Sequence, residues 1–313
     1  MYSATAPAKV ILFGEHAVVY GRPALAAPVA HLRARAIIEE TGEADVKLIA
    51  PDLNRSADLS SANINNPLVA TIRAVERSVG CALSEGYSLS VTSDIPIASG
   101  LGSGAAISVA IIRAFAQYLG RVDTMTNEVI SQLAYEVEKL HHGTPSGIDN
   151  TVIAYERPVY FVRRQPANVI EPFTIARPLR LAIGDTGVRS ATKDVVGDVR
   201  RRWEAAPDRF EAIFDACGRI ASEGRAALAA GDMTAIGELM NENQSWLERM
   251  TVSSPPLERL IHAAREAGAL GAKLSGAGRG GNMIALVTPE LEEAVVAALM
   301  AAGAVRVFIS DVG

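Results

Sequence analysis

The residues of this chain that could do chemistry fall into a few clusters. Ser99, Gly100, Leu101, Gly102, Ser103, Gly104 and Ala105 form a glycine- and serine-rich stretch after Pro96. Glycine carries no Cβ, so backbone amides can turn inward on a bound group, and a helix start behind them adds roughly half a positive charge. That combination suits an anion, most simply a phosphate; a plain turn joining strand to helix is the alternative. Neither standard nucleotide fingerprint fits. No Lys-Ser/Thr follows the last glycine, and Asp123, about 20 positions on, follows the helix directly instead of ending a second strand. Lys9, Glu15 and His16 bracket the apolar run Val10–Phe13. Either they line a pocket whose floor is that strand, or Lys and Glu are solvated ends and His16 is a hydrogen-bonded structural residue. A second glycine-rich loop runs from Ser275 through Gly276, Ala277 and Gly278 to Gly281.

These clusters need elements to place them. Tyr87, Leu89 and Val91 alternate with Ser88, Ser90 and Thr92, the pattern of a half-buried strand leading into the first glycine loop. Behind the loop, Ala105 to Leu119 lacks Pro and Gly and spaces Ile107, Ala110, Ile111, Ala114 and Tyr118 as a helix does, with Gly120 as its stop. Before these, Val10–Phe13, Leu32–Glu39 and Ala44–Ile49 read as strands, Asp52–Asn66 as a loop, and Pro67–Ser78 as a helix opened by proline. A further helix carries the stripe Ile130, Leu133, Ala134, Val137 and Leu140, with Glu136, Glu138 and Lys139 off it, and ends at His141-His142-Gly143. A tight turn, Thr144–Gly147, leads into Asp149, and hairpin-like strands are expected on both sides of Glu156-Arg157-Pro158. Pro166–Pro178 has three prolines in thirteen positions and reads as a linker, giving domains 1–170 and 171–313. Past it come strand Leu179–Ile183, helices Ala191–Trp203, Phe210–Ala229, Met233–Met250 and Pro256–Ala267, strand Met283–Val287, helix Glu290–Ala302 and strand Val305–Ile309. That is α+β order with a split β-α-β end.

Composition narrows the function classes. The 313 residues are 49% hydrophobic and 21% charged, ordinary for a globular chain with room for two domains. A net charge of −5 gives no reason to expect nucleic acid or an anionic membrane as partner. Any phosphate site is therefore local. The two cysteines, Cys81 and Cys217, build neither a disulfide framework nor a zinc site, and point to a reducing compartment. Lys9 and Glu15 interrupt the N-terminal apolar stretch, which argues against a signal peptide, and no apolar run reaches membrane-spanning length. The expectation is a soluble cytoplasmic enzyme or binding domain.

Taken together, Lys9-Val-Ile-Leu-Phe-Gly-Glu-His-Ala-Val-Val-Tyr-Gly21, Pro96-Ile-Ala-Ser-Gly-Leu-Gly-Ser-Gly-Ala-Ala106 and Lys273-Leu-Ser-Gly-Ala-Gly-Arg-Gly-Gly281 resemble, in order, the three signature motifs of the GHMP kinase superfamily. Within it the wording is closest to the mevalonate kinases. His142-Gly-Thr-Pro-Ser-Gly-Ile-Asp-Asn150 resembles their catalytic-aspartate segment, and Ser190-Ala-Thr-Lys193 their substrate-side segment.

The resemblance implies a two-domain GHMP kinase fold: an N-terminal domain like ribosomal protein S5 domain 2 and a ferredoxin-like C-terminal domain. It implies ATP-dependent phosphorylation of the 5-hydroxyl of mevalonate, with ATP as co-substrate and Mg²⁺ as metal. On the matching positions Asp149 is the catalytic base with Lys9 beside it. Ser99 to Ala105, with Pro96, and Gly276, Ala277 and Gly278 serve the nucleotide; Glu15, His16 and Thr192 serve the acceptor; Glu138 and Ser103 serve the metal. The chemistry agrees, since phosphoryl transfer asks of a protein chiefly positioning and charge neutralisation. One position departs from the family wording: Gly104 stands where a second serine is common, which leaves open which hydroxyl meets the metal. Arg279 is equally compatible with a phosphate contact and with solvent. Phosphomevalonate kinase, a mevalonate 3-kinase and a non-catalytic binding module remain as alternatives, and the oligomeric state, a homodimer included, stays open.

Overall fold

A computed structural model describes the chain except residues 43–44, 64–65, 84–85, 97–99 and 143–144 and the side chains of residues 141–142. Ser99 and the start of the Thr144–Gly147 turn thus lie outside the described residues. The chain has mixed α and β content and divides into two compact units. One holds Met1–Ala8, His31–Pro96 and Gly102–Glu156, the other Lys9–Ala30, Ile97–Leu101 and Arg157–Gly313. The second unit takes in residues 9–30, so this grouping differs from a division at residue 170. Two long strands, β1 (Tyr2–Phe13) and β2 (Pro23–Glu40), give residues to both units.

In the first unit, β2 pairs antiparallel with β5 (Tyr87–Ser93), from Ala34 opposite Ser93 to Glu40 opposite Tyr87. Strand β3 (Lys47–Ala50) pairs parallel with β5 and antiparallel with β4 (Arg55–Asp58). Four helices follow: α1 (Pro67–Val79), α2 (Ser103–Tyr118), α3 (Asn127–His142) and α4 (Ile148–Tyr155). Helix α2 packs on the other three, and its inner residues Val109, Ile111, Ile112 and Phe115 are fully buried. The Tyr87 ring meets Phe115 edge-on at 5.4 Å, fixing β5 to α2 across the glycine loop they flank.

Two expectations change here. Asp52–Asn66 is not all loop: it contains the end of a 3-10 turn, Pro51–Leu53, and the edge strand β4. The residues before Glu156 form α4, not a strand. Their β-branched run, Thr151-Val-Ile, favours a strand by propensity. Tertiary contacts win, because α4 is tied to α3 by Asn150 Nδ2 donating to Ser131 O at 3.0 Å and Ser131 Oγ at 2.9 Å. Thr151 Oγ1 also returns to Gly147 O at 2.7 Å within the first turn. Glu156, at φ 49°, ends the helix.

In the second unit, the start of β2 pairs with β6 (Val159–Val162), and β6 with β7 (Val169–Pro172). The proline-rich stretch therefore holds a strand and is not merely a linker. A separate antiparallel sheet has the order β11-β8-β10-β9, with β8 Leu179–Asp185, β9 Gly271–Ser275, β10 Asn282–Leu286 and β11 Arg306–Val312. Helices α5 (Thr192–Ala205), α6 (Pro207–Ala230), α7 (Met233–Arg249), α8 (Pro255–Glu266) and α9 (Glu292–Ala301) complete it. Their shared core runs from Phe210, Phe214 and Leu247 to Leu274 and Met283. Among the described residues no helix is long and apolar enough to cross a membrane.

Candidate active site

In the first unit the candidate residues gather at helix starts. Gly102 is the N-cap of α2 at φ 77°, a backbone that a side chain would strain, and no side chain caps the helix. The first amides of an α-helix lack partners within it, so Ser103, Gly104 and Ala105 present donors and the positive end of the helix dipole. Over this terminus lies Glu138 of α3, only 9% exposed: a Cβ built on Gly104 would stand 3.0 Å from its Oε1. A carboxylate and a helix-bound phosphate repel unless a cation joins them. Glu138 with the Ser103 hydroxyl is an all-oxygen set of low charge, which fits Mg²⁺ completing its shell with phosphate oxygens and water. Among the described residues no group of three or more His, Cys, Asp or Glu could hold a metal by itself. Asp149 occupies the first turn of α4, after the N-cap Gly147 at φ 92°.

In the second unit the first and third motifs meet. The Lys9 amide donates to Leu101 O at 3.0 Å, and the Lys9 side chain is almost fully buried. Gly100 lies against the second glycine loop, where an added Cβ would be 3.4 Å from Ser275 O, and Gly276 approaches Gly100 in the same way. Gly278 has no room for a side chain at all, its Cβ position being 2.1 Å from Val252 O. Ser190 Oγ donates to Gly278 O at 2.7 Å and so anchors the Ser190–Lys193 segment to this loop. Thr192, the first residue of α5, is exposed.

His16 is buried at φ 59° and its Nε2 donates to Ala277 O at 2.8 Å. A carbonyl can only accept, so Nε2 carries the proton and Nδ1 is the acceptor nitrogen. Burial, joined by the Arg279 charge and opposed by the Ala277 hydrogen bond, lowers the imidazole to about 4. At neutral pH this side chain is uncharged and suited to accept a hydrogen bond, not to pair with a carboxylate.

Sequence reading missed several partners. Glu15 is wholly buried in an ion pair with Lys273 of β9. Burial raises the Glu15 carboxyl and lowers the Lys273 ammonium, while each holds the other charged, Lys9 adding a smaller pull on Glu15. Ser275 Oγ accepts from Ile11 N at 3.0 Å and donates to Ile11 O at 3.1 Å. The period-2 run 273, 275, 277 across β9 and the loop start is the signal that could have drawn attention to Lys273. Arg279, left between phosphate and solvent, is instead committed to the fold: its guanidinium pairs with Asp198 and donates to Thr251 O at 3.2 Å. The Arg279 and Arg202 cations hold the Asp198 carboxyl well below the usual carboxylate range.

Comparison with known proteins fits this arrangement. The model of the GHMP kinases N terminal domain matches residues 66–157, and that of the GHMP kinases C terminal domain matches residues 225–305. A mevalonate kinase of Pyrococcus horikoshii is 36% identical over 96% of this chain and 92% of its own length. One of Thermococcus onnurineus is 36% identical over 99% of this chain and 96% of its own length. The crystal structure of L. major mevalonate kinase in complex with R-mevalonate superposes with a TM-score of 0.86, at 30% identity, over 100% of this chain and 96% of that one. With both family models matched and the likeness running the length of the chain, the protein belongs to the GHMP kinase family, among the mevalonate kinases.

Proposed function

We propose that this protein transfers the γ-phosphoryl group of ATP to the 5-hydroxyl of mevalonate, giving 5-phosphomevalonate for isoprenoid precursor synthesis. The observation that carries this reading is the Glu138 carboxylate over the start of α2, which no side chain caps, an arrangement that can take a phosphate with a cation between the two. The near-full-length likeness to mevalonate kinases chooses the acceptor. Backbone amides of Gly102 to Ala105 cradle the β- and γ-phosphates, and Gly276 to Gly278 support the nucleotide. Glu138 and Ser103 would hold Mg²⁺, which when bound neutralises charge on the phosphates.

Asp149 orients the acceptor hydroxyl and takes its proton as the bond to phosphorus forms, the hydroxyl acidifying during transfer. Lys9 offsets negative charge on the migrating group. His16, neutral with Nδ1 as acceptor, fits an alcohol better than an anion, and Thr192 adds a hydroxyl on the acceptor side. The functional domains run 1–170 and 171–313. The two cysteines are unpaired, in keeping with a cytoplasmic protein.

A phosphorylated acceptor would need further cations. On the acceptor side the sequence offers none beyond Lys9, Arg189 and Lys193, and Arg279, read from sequence as a phosphate contact or a solvated residue, pairs with Asp198; a single-carboxylate acceptor suits this set better than a phosphorylated one. The test is ADP release over mevalonate, phosphomevalonate, homoserine and galactose, with NMR of the product to identify the reacting hydroxyl. Turnover confined to mevalonate at C5 is expected. Turnover of another acceptor instead, or reaction at the 3-hydroxyl, overturns the assignment, and no turnover at all removes the kinase reading.

A further inference from the structure

The end of β1 is held by β9 and the loop after it at alternate residues: Lys273 on Glu15, Ser275 on Ile11, and Ala277 on His16. The turn so held is not a relaxed one. Gly14 lies at φ 90° with its Cβ position 2.4 Å from Pro23 O, so no other residue fits there. His16, a non-glycine residue, sits at φ 59°. Such backbone persists only where its surroundings over-determine it. The ion pair is the one charged tie in this set. Lys273 Nζ spends a second hydrogen bond on Leu274 O at 2.7 Å, while Glu15 Oε2 is buried with no hydrogen-bond partner among the described residues. The grip on the Glu15 carboxylate therefore falls chiefly on the Lys273 ammonium, with smaller contributions from its own backbone amide and from Lys9. A buried pair of this kind adds little net stability over an apolar pair of similar volume, yet removing one partner leaves an uncompensated buried charge. Its use here is better sought in what it fixes.

We propose that Lys273 is a positioning residue for the acceptor: its ammonium holds the Glu15 carboxylate, and with it the Gly14–His16 turn, where His16 Nδ1 can accept a hydrogen bond from the acceptor molecule at a group other than the hydroxyl that Asp149 deprotonates. The proposal rests on the mevalonate kinase reading. Lys273 acts through Glu15 and touches no substrate, so its effect must vanish once Glu15 no longer carries the charge it grips.

The test compares wild type, Lys273→Met, Glu15→Gln and the double variant Glu15→Gln/Lys273→Met. Wild-type turnover of mevalonate, measured first, tests the proposed function on its own. Thermal unfolding of the four forms tests the pair without substrate: the double variant, with no unpaired buried charge, should recover most of the midpoint lost by Lys273→Met. In steady-state kinetics Lys273→Met should raise the KM for mevalonate by about tenfold or more and leave that for ATP within about twofold, a coupling of ordinary size for groups in contact. The decisive comparison is the double variant against Glu15→Gln. Equal KM for mevalonate in those two supports action through Glu15, and this comparison stands even if Lys273→Met alone does not fold. A further rise of about tenfold in the double variant shows that Lys273 acts independently and overturns the proposal. So does an equal rise in both KM values, or a Lys273→Met enzyme with wild-type constants.

Discussion

The departure at position 104 gives a sharp test of the proposed metal site. Gly104→Ala adds one carbon, and its position is 3.0 Å from Glu138 Oε1, with no other atom of the described residues outside its own helix within 4 Å. Ordinary contact between such atoms begins near 3.4 Å, so the carboxylate must retreat by a few tenths of an ångström. Gly→Ala within a helix brings about 0.5–1 kcal/mol of backbone entropy in return. Crowding at a flexible carboxylate costs a similar amount, so net stability should change by less than about 1 kcal/mol. Function should not be so forgiving. A displacement of 1 Å at a reacting centre costs about 10²-fold, and a few tenths at a metal-side carboxylate scales to about three- to tenfold in the Mg²⁺ needed for half-maximal turnover. Gly104→Ser should behave alike despite restoring the common wording. Its Cβ crowds Glu138 equally, and its hydroxyl can donate to the same carboxylate and occupy a lone pair meant for the cation. The assay is ADP release across a Mg²⁺ titration at saturating ATP and mevalonate, paired with thermal unfolding. A Mg²⁺ requirement unchanged in Gly104→Ala, or a serine variant faster than wild type, refutes this account of Glu138.

Three further outcomes follow from the same geometry. Asp149→Asn keeps shape but removes the proton acceptor; kcat should fall by at least about 10² with the KM for ATP little changed, and near-normal turnover would exclude Asp149 as base. Glu138→Gln should damage turnover far more than Ser103→Ala, since water can replace a hydroxyl ligand but brings no charge; equal damage in Mg²⁺-dependent rates would show the serine to be indispensable. His16 gives a stability test: the unfolded imidazole titrates near 6.5 and the buried one at about 4. Between those values the unfolded chain binds the extra proton, so stability is full above about pH 6.5 and falls toward pH 4. The loss attributable to His16 is about 2 kcal/mol by pH 5. Urea unfolding of wild type and His16→Asn from pH 7.5 to 5 should show curves that converge on acidification, and parallel curves would contradict a buried neutral imidazole.

What could be read from the chain beforehand was what neighbours in sequence decide. The glycine loop and α2 were legible because strand alternation stops, glycines follow, and apolar spacing changes from two to 3.6 within about twenty residues. Thr151-Val-Ile was misread because its β-branching speaks for a strand, while the deciding contacts come from Ser131, nineteen to twenty residues earlier. Lys273 could not be matched with Glu15 by any local rule, the two being 258 residues apart. Arg279 showed the same limit from the other side. Its charge was plain in the sequence, and that Asp198 claims it was not.

Those long-range pairings also alter what the second unit can recognise. In the sequence, Lys273 and Arg279 carry the positive charges of the third motif, and His16 stands beside Glu15 in the first. Folded, His16 is neutral and donates through Nε2 to a carbonyl, Lys273 serves Glu15, and Arg279 serves Asp198. The two positive charges of Lys273 and Arg279 are thus taken by carboxylates of the chain itself. A phosphate already on the acceptor would have to be neutralised without them. On the proposed reading an alcohol with a single carboxylate asks less: a neutral hydrogen-bond acceptor in His16, and charge from Lys9 on the phosphoryl group in transit. Fold and acceptor choice are in this way linked, because the ion pairs that close the second unit around its glycine loop are the same ones that withdraw charge from ligand binding.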